Sequence, residues 1–250
     1  MIDVHCHLEQ KDYDKDRDNV IEECRKKLKA VITSCAHAND IGLTLEIAQK
    51  YKGFVYASIG LHPEYIKEIK EKDVEKVVET IVNNQKQIVA IGEVGLDYHW
   101  VQEMEWRDKQ KNLFRQFIRL AKKLHLPLIV HSRSAMQDTL DILAEEKYSN
   151  VLLHLFTDRP SLQRVINENY RVSIGPGIKQ SKDVRKIARD MPIDRILLET
   201  DSPWWGDGER GTPLNVFKAA EKIAETRKIT IEEVEKQTDL NAIKFFNLKK

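Results

Sequence analysis

Glycine is scarce in this sequence, at 10 of 250 residues, and no GxGxxG fingerprint follows the first apolar segment. That weakens a dinucleotide-binding open sheet. Cysteine is sparser still. Cys6, Cys24 and Cys35 are an odd, scattered set with no CxxC spacing, which excludes a disulfide framework and points to a reducing cytoplasm. Cys35 ends the apolar run Ala30 to Cys35 and reads as a buried structural thiol. No stretch approaches the ~18 apolar residues of a membrane span. The N-terminus lacks the basic region and long apolar run of a signal peptide, so the expectation is a soluble protein without membrane contact. Charge of one sign is missing too. With 41 basic and 40 acidic side chains the formal net charge is +1. No global basic field recruits nucleic acid, and any phosphate site must be built locally. No linker or low-complexity break appears, so 1–250 reads as one domain, with no obligate protein partner evident.

What is present starts with Met1-Ile2-Asp3-Val4-His5-Cys6-His7. Ile2, Val4 and Cys6 alternate with Asp3, His5 and His7, the period of a β-strand. Residues two apart share a face. His5 and His7 therefore point the same way, close enough to grip one cation, and Cys6 points away. Histidine with carboxylate suits zinc, manganese and other divalent metals. Two hydrogen-bonded histidines at a strand end are the structural alternative.

Seven further apolar strands follow, near 30–35, 53–60, 87–92, 127–130, 150–153, 171–174 and 195–198, each separated by helical periodicity. Lys67 to Glu79 reads as a charged helix face with Lys67/Glu71 and Glu68/Lys72 at i,i+4 spacing. Thr230 and Glu233 form a capping box. Leu128-Ile129-Val130 and Ile196-Leu197-Leu198 are continuously apolar, as parallel strands buried on both faces are. Eight βα units in about this length predict an α/β fold, a single (β/α)8 TIM barrel, with a doubly wound sheet as the alternative.

The strand tips carry His5 and His7, then Cys35, His62, Glu93, His131, His154 and Asp201. In a barrel these tips converge on one face. Four histidines, one glutamate and one aspartate at one rim suffice for two adjacent divalent ions.

The stretches Ile2 to Leu8, Gly60-Leu61-His62-Pro63, Ile91 to Tyr98, Val130-His131-Ser132-Arg133, His154 with Phe156, and Leu198 to Pro203 resemble, in order, the TatD family of metal-dependent deoxyribonucleases within the amidohydrolase superfamily. The resemblance implies that His5, His7 and Asp201 hold one ion and His131 and His154 a second, with Glu93 bridging. The ions would be Mg, Mn or Zn. It implies a metal-dependent hydrolase of ester bonds, a DNA exonuclease with DNA as substrate. Two such ions activate a water for in-line displacement at phosphorus. Asp201 is assigned as ligand and general base, with Glu93 as its catalytic companion. His62 and Arg133 are candidates for gripping phosphate, and a guanidinium does so bidentately. Trp204 and Tyr98 are candidates for contacting a base. Two stretches depart from the family pattern. His154-Leu155-Phe156-Thr157-Asp158 replaces His-Cys-Phe-Ser-Gly, and Arg210-Gly211-Thr212-Pro213 lacks the usual acid. Both lie in loops that would meet substrate. Two other functions remain open: an ester, lactone or amide hydrolase, and a non-catalytic metal-binding scaffold.

Overall fold

The computed structural model describes residues 1–206 and 208–249. Eight parallel strands lie side by side in chain order: β1 (Ile2–Cys6), β2 (Ala30–Cys35), β3 (Val55–Ile59), β4 (Ile88–Asp97), β5 (Leu128–Arg133), β6 (Val151–Leu153), β7 (Arg171–Ile174) and β8 (Ile196–Leu198). Helices α1 (Arg17–Arg25), α2 (Ile41–Lys50), α3 (Glu71–Asn83), α4 (Met104–Leu124), α5 (Met136–Glu145), α6 (Leu162–Asn167) and α7 (Lys182–Asp190) connect them, and α8 (Val216–Arg227) and α9 (Ile231–Phe246) follow β8. The backbone just beyond β8 returns to β1. Asp201 N donates to His5 O at 2.9 Å, and His7 N donates to Ser202 O at 2.8 Å. The buried Asp3 carboxylate fastens the same seam, accepting from Thr200 N at 3.0 Å and Thr200 Oγ1 at 2.6 Å. The sheet thus nearly closes into the expected barrel.

Two apolar layers result. Val31, Cys35, Val55, Ile91, Val130, Val172 and Leu198 face the helices. Ile2, Val4, Ala30, Ile32, Ala90, Ile129, Leu152 and Leu197 fill the barrel's interior, closed below by Ala242, Phe245, Phe246 and Leu248 at the end of the chain. The strands are apolar on both sides because both are covered. The capping box of α9 forms, with Thr230 N donating to Glu233 and Glu233 N to Thr230 Oγ1.

The simple alternation expected along β1 does not hold. Asp3 pairs with Val31 but Cys6 with Thr33, so β1 carries one extra residue. Ile2 and Val4 face the interior while Cys6 faces the helices. A bulge changes the parity of a strand and re-aims its side chains. β4 does the same between Ile91 and Val94, which pair with Leu128 and Val130. Both irregularities sit at the rows that carry His5 and Glu93. A second difference concerns Lys67, which lies in a 3-10 turn, Pro63–Lys67, ahead of α3. Proline starts that turn, and Lys67 pairs with Glu103 at 2.6 Å rather than with Glu71. Among the described residues, no helix is long and apolar enough to cross a membrane.

Candidate metal centre

The interior changes character toward the C-terminal ends of the strands. There Glu93, buried at the bulge of β4, stands between two groups of imidazoles. Its Oε2 lies 3.2 Å from His5 Nε2 and 3.7 Å from His7 Nε2. Its Oε1 lies 2.8 Å from His154 Nε2, 2.9 Å from His131 Nδ1 and 3.4 Å from His62 Nε2. Asp201 completes the first group, its Oδ1 3.2 Å from His7 Nε2 and 3.8 Å from His5 Nε2. Within the groups, ring nitrogens crowd together: 3.1 Å between His5 and His7, and 3.3 Å between His131 and His154.

The backbone is shaped for this crowding. A Cβ on Gly95 would lie 2.0 Å from the carbonyl oxygen of His131, and one on Gly60 would lie 2.5 Å from that of Glu93. Glycine at both positions lets β3, β4 and β5 approach where Glu93 and His131 emerge. Asp201 has a left-handed backbone, φ 55°, and so does Leu155 after His154, φ 42°. Such conformations cost about 1–3 kcal/mol each for a residue with a side chain and cluster at functional sites.

Behind His7, His131 and His5 stands a hydrogen-bonding group that orients the ring, and behind His154 a carboxylate at longer range. His7 Nδ1 is 3.2 Å from Glu9, whose other oxygen accepts from Thr33 Oγ1 at 2.8 Å. His131 Nε2 is 2.9 Å from Asp97 Oδ2. His154 Nδ1 is 3.5 Å from Glu199, and His5 Nδ1 is 3.2 Å from Ser34 Oγ. A carboxylate or hydroxyl behind a histidine fixes its tautomer and leaves the opposite nitrogen's lone pair for a cation.

The electrostatics agree. Burial alone would raise the Glu93 carboxyl, but the charges of His154, His62 and His5 and the hydrogen bond with His131 hold it well below the usual range. Burial disfavours charge on His7, yet the hydrogen bonds with Asp201 and Glu9 hold it well above an ordinary imidazole. Burial opposes charge on His154 as well, and Glu93 and Glu199 more than offset it. His131 is raised against burial by Asp97 and Glu93. Burial would raise Asp201, but the hydrogen bond with His7 and the charges of His154, His7 and His5 together lower it. The centre is acid-rich and draws positive charge; without a cation, protons on histidine supply it. This donor set fits divalent ions, which bind with release of those protons.

The chain matches the family model described as TatD related DNase over residues 2–247. It belongs to the TatD family. It is 36% identical to the human deoxyribonuclease TATDN3, covering 98% of this chain and 94% of that one. It is 34% identical to the uncharacterized metal-dependent hydrolase YabD of Bacillus subtilis, covering 99% of both. Among solved structures it superposes on the TatD homolog YJJV of Escherichia coli K12 with a TM-score of 0.91 at 23% identity, over 100% of this chain and 98% of that one. The TatD barrel is thus shared from end to end.

All six expected ligand residues of the TatD reading, His5, His7, Glu93, His131, His154 and Asp201, meet in one cluster. His62 joins it from β3's end, its ring centroid 4.2 Å from that of His131. Burial and the charge of His131 lower its pKa. Trp204 is 49% exposed, its ring centroid 4.9 Å from His7. Arg133 stands exposed at the rim, over the indole of Trp100. Tyr98 turns elsewhere: its hydroxyl donates to Asp138 at 2.7 Å, and Arg107 covers its ring. Of the departing loops, Phe156 is buried and Asp158 caps the turn at Ser161. Arg210 is held bidentately by Asp16.

Glu9, Asp97 and Glu199 were not expected as site residues. Their signal lies in spacing: Glu9 is two beyond His7, Glu199 two before Asp201, and Asp97 is at the tip of β4.

Proposed function

We propose that the chain is a phosphodiesterase that hydrolyses DNA with two divalent ions, Mg, Mn or Zn. One ion would be held by His5, His7 and Asp201 and the second by His131 and His154, with Glu93 between them. The observation that carries this reading is Glu93, whose two oxygens face two separate histidine groups. When bound, such a pair of ions acidifies water and offsets charge at phosphorus.

The chain's own groups do the rest. Asp201 reaches the cluster from β8's end and its low pKa keeps it ionised, so its carboxylate takes the proton of the attacking water as general base. His62 Nδ1 accepts from the backbone N–H of Glu64 at 3.2 Å. Neutral His62 therefore carries its proton on Nε2, facing the cluster, and donates to a phosphate oxygen. Arg133 supplies a fixed positive charge at the rim, which suits a phosphate. Trp204 offers an exposed ring beside His7 for a base.

The deoxyribonuclease names of the similar proteins support DNA as substrate. A carbonyl ester or lactone would call for a dry apolar pocket; this rim carries Arg133, His62 and exposed indoles instead. The three thiols are free and buried, which suits a reducing compartment such as the cytoplasm.

The test is hydrolysis of end-labelled single-stranded DNA with added Mg²⁺ or Mn²⁺. Progressive shortening from one end is expected. Asp201→Asn should lower kcat by about 100-fold or more. Near-normal turnover by metal-loaded Asp201→Asn would remove Asp201 as the base. A folded, metal-loaded wild type that cuts no DNA would overturn the nuclease reading.

A further inference from the structure

Large hydrophobic side chains are exposed at few places, and three of those are indoles at the open end of the barrel: Trp100, Trp204 and Trp205. Trp205 is 49% exposed, with one edge of its ring beside Gly177. Trp204 flanks the centre on the His7 side. Trp100 remains 56% exposed although His99 and Arg133 both lie against its ring. Its place is nonetheless fixed. The backbone N–H groups of His99 and Trp100 both donate to Asp97 Oδ1 at 2.9 Å, and the other oxygen of that carboxylate touches His131. Asp97 thus carries the indole's loop on one oxygen and a candidate ligand on the other. His99 packs edge-on to the indole, with centroids 4.7 Å apart.

Arg133 is the second half of the feature. It pairs with Asp97 in the β4–β5 register, two residues beyond His131. Its guanidinium stands 5.4 Å from the Trp100 ring centroid. Among the described residues it makes neither a hydrogen bond nor an ion pair, whereas Arg107, Arg119, Arg164 and Arg210 are all engaged. An arginine with unused donors over an exposed indole, at the mouth of an acid-rich centre, presents a flat π surface and a bidentate anion grip together.

We infer that Trp100 and Arg133 form a nucleotide subsite on the His131 side of the cleft: the indole stacks an unpaired base and the guanidinium takes that nucleotide's phosphate. The inference rests on the phosphodiesterase reading. It places one base contact on each flank of the centre, Trp204 by His7 and Trp100 by His131. Stacking on an aromatic side chain is sequence-tolerant, because every base has a π face.

The test separates binding from turnover. A fluorescently labelled single-stranded deoxy-octamer is titrated into the full chain in EDTA and followed by anisotropy. Trp100→Ala should weaken binding by about tenfold or more, and Trp100→Phe should restore most of it. Because the side chain is exposed, its loss should leave the melting temperature unchanged. An octamer with abasic sites should bind the wild type weakly and be indifferent to Trp100→Ala. In Trp100→Ala, the further loss on Arg133→Ala should be smaller than in wild type, since the two groups act together. Wild-type affinity in Trp100→Ala would overturn the subsite, as would equal binding of the abasic octamer. Trp100-dependent binding without cleavage in Mg²⁺ or Mn²⁺ would keep the subsite and sink the nuclease reading. Cleavage with Trp100-independent binding would do the reverse.

Discussion

The two ends of this barrel are built from the same eight strands and could hardly differ more. At the N-terminal end the interior is Ile2, Ala30, Ala90, Ile129, Leu152 and Leu197, sealed by Phe245 and Phe246. A few residues further along, the same space holds five histidines, Glu93 and Asp201. Apolar packing supplies stability at one end, and the other concentrates buried charge that costs stability unless it is compensated. The bulges in β1 and β4 mark the change, because each re-aims a strand where the candidate ligands begin. One end holds the barrel together, and the other gathers the candidate ligands.

That division can be broken at four places, each with a smaller effect than the last. Glu93→Ala removes the group between both halves of the centre. Its kcat/KM on DNA should fall by at least about a thousandfold, roughly 4 kcal/mol in the transition state, with the melting temperature of the metal-free protein little changed. Phe246→Ala attacks the opposite end. A buried phenylalanine lost from a core costs about 3–5 kcal/mol, so thermal unfolding should drop by about 10 °C, while metal content per folded chain stays at the wild-type value. Equal damage to stability and metal content by either variant would dissolve the comparison. Glu9→Gln keeps the shape behind His7 but removes the charge. Metal affinity should weaken about 10–100-fold, read by competition with a chromophoric chelator, and unchanged affinity would make Glu9 a packing residue only.

The smallest effect lies outside both ends. Glu146, beyond the last turn of α5, accepts two hydrogen bonds from Arg119. Those bonds, the foremost cause, lower its pKa below the ordinary value. A carboxyl depressed in the folded state adds stability above its unfolded pKa, and that stability is lost as pH falls through the folded value. A surface pair is worth at most about 1 kcal/mol. Glu146→Gln should therefore lower the melting temperature by about 1–3 °C at pH 7, and the gap to wild type should close below about pH 4. A gap that persists at pH 3 would assign the loss to packing.

The legible part of this molecule was the part governed by period and position. Continuous apolar runs such as Ile196–Leu198 marked buried parallel strands, and the residues at their tips named the cluster. What alternation could not show was the extra residue in β1. A bulge leaves the composition of a strand intact and changes only which way its side chains face, so Cys6 was expected to share a side with Ile2 and Val4. The orienting acids were hidden for another reason. Glu9, Asp97 and Glu199 look like any surface acid in a chain with 40 of them, and only burial beside an imidazole distinguishes them. Tyr98 lies in a matching motif, but its direction is set by Asp138, far along the chain from it, and by Arg107 at the start of the following helix.

The central claim is that Glu93 lies between two cation sites. Anomalous diffraction from crystals grown with Mn²⁺ tests it most directly. The account predicts two peaks flanking the Glu93 carboxylate, one against His5, His7 and Asp201 and one against His131 and His154. A single peak, or peaks that leave Glu93 untouched, would contradict it.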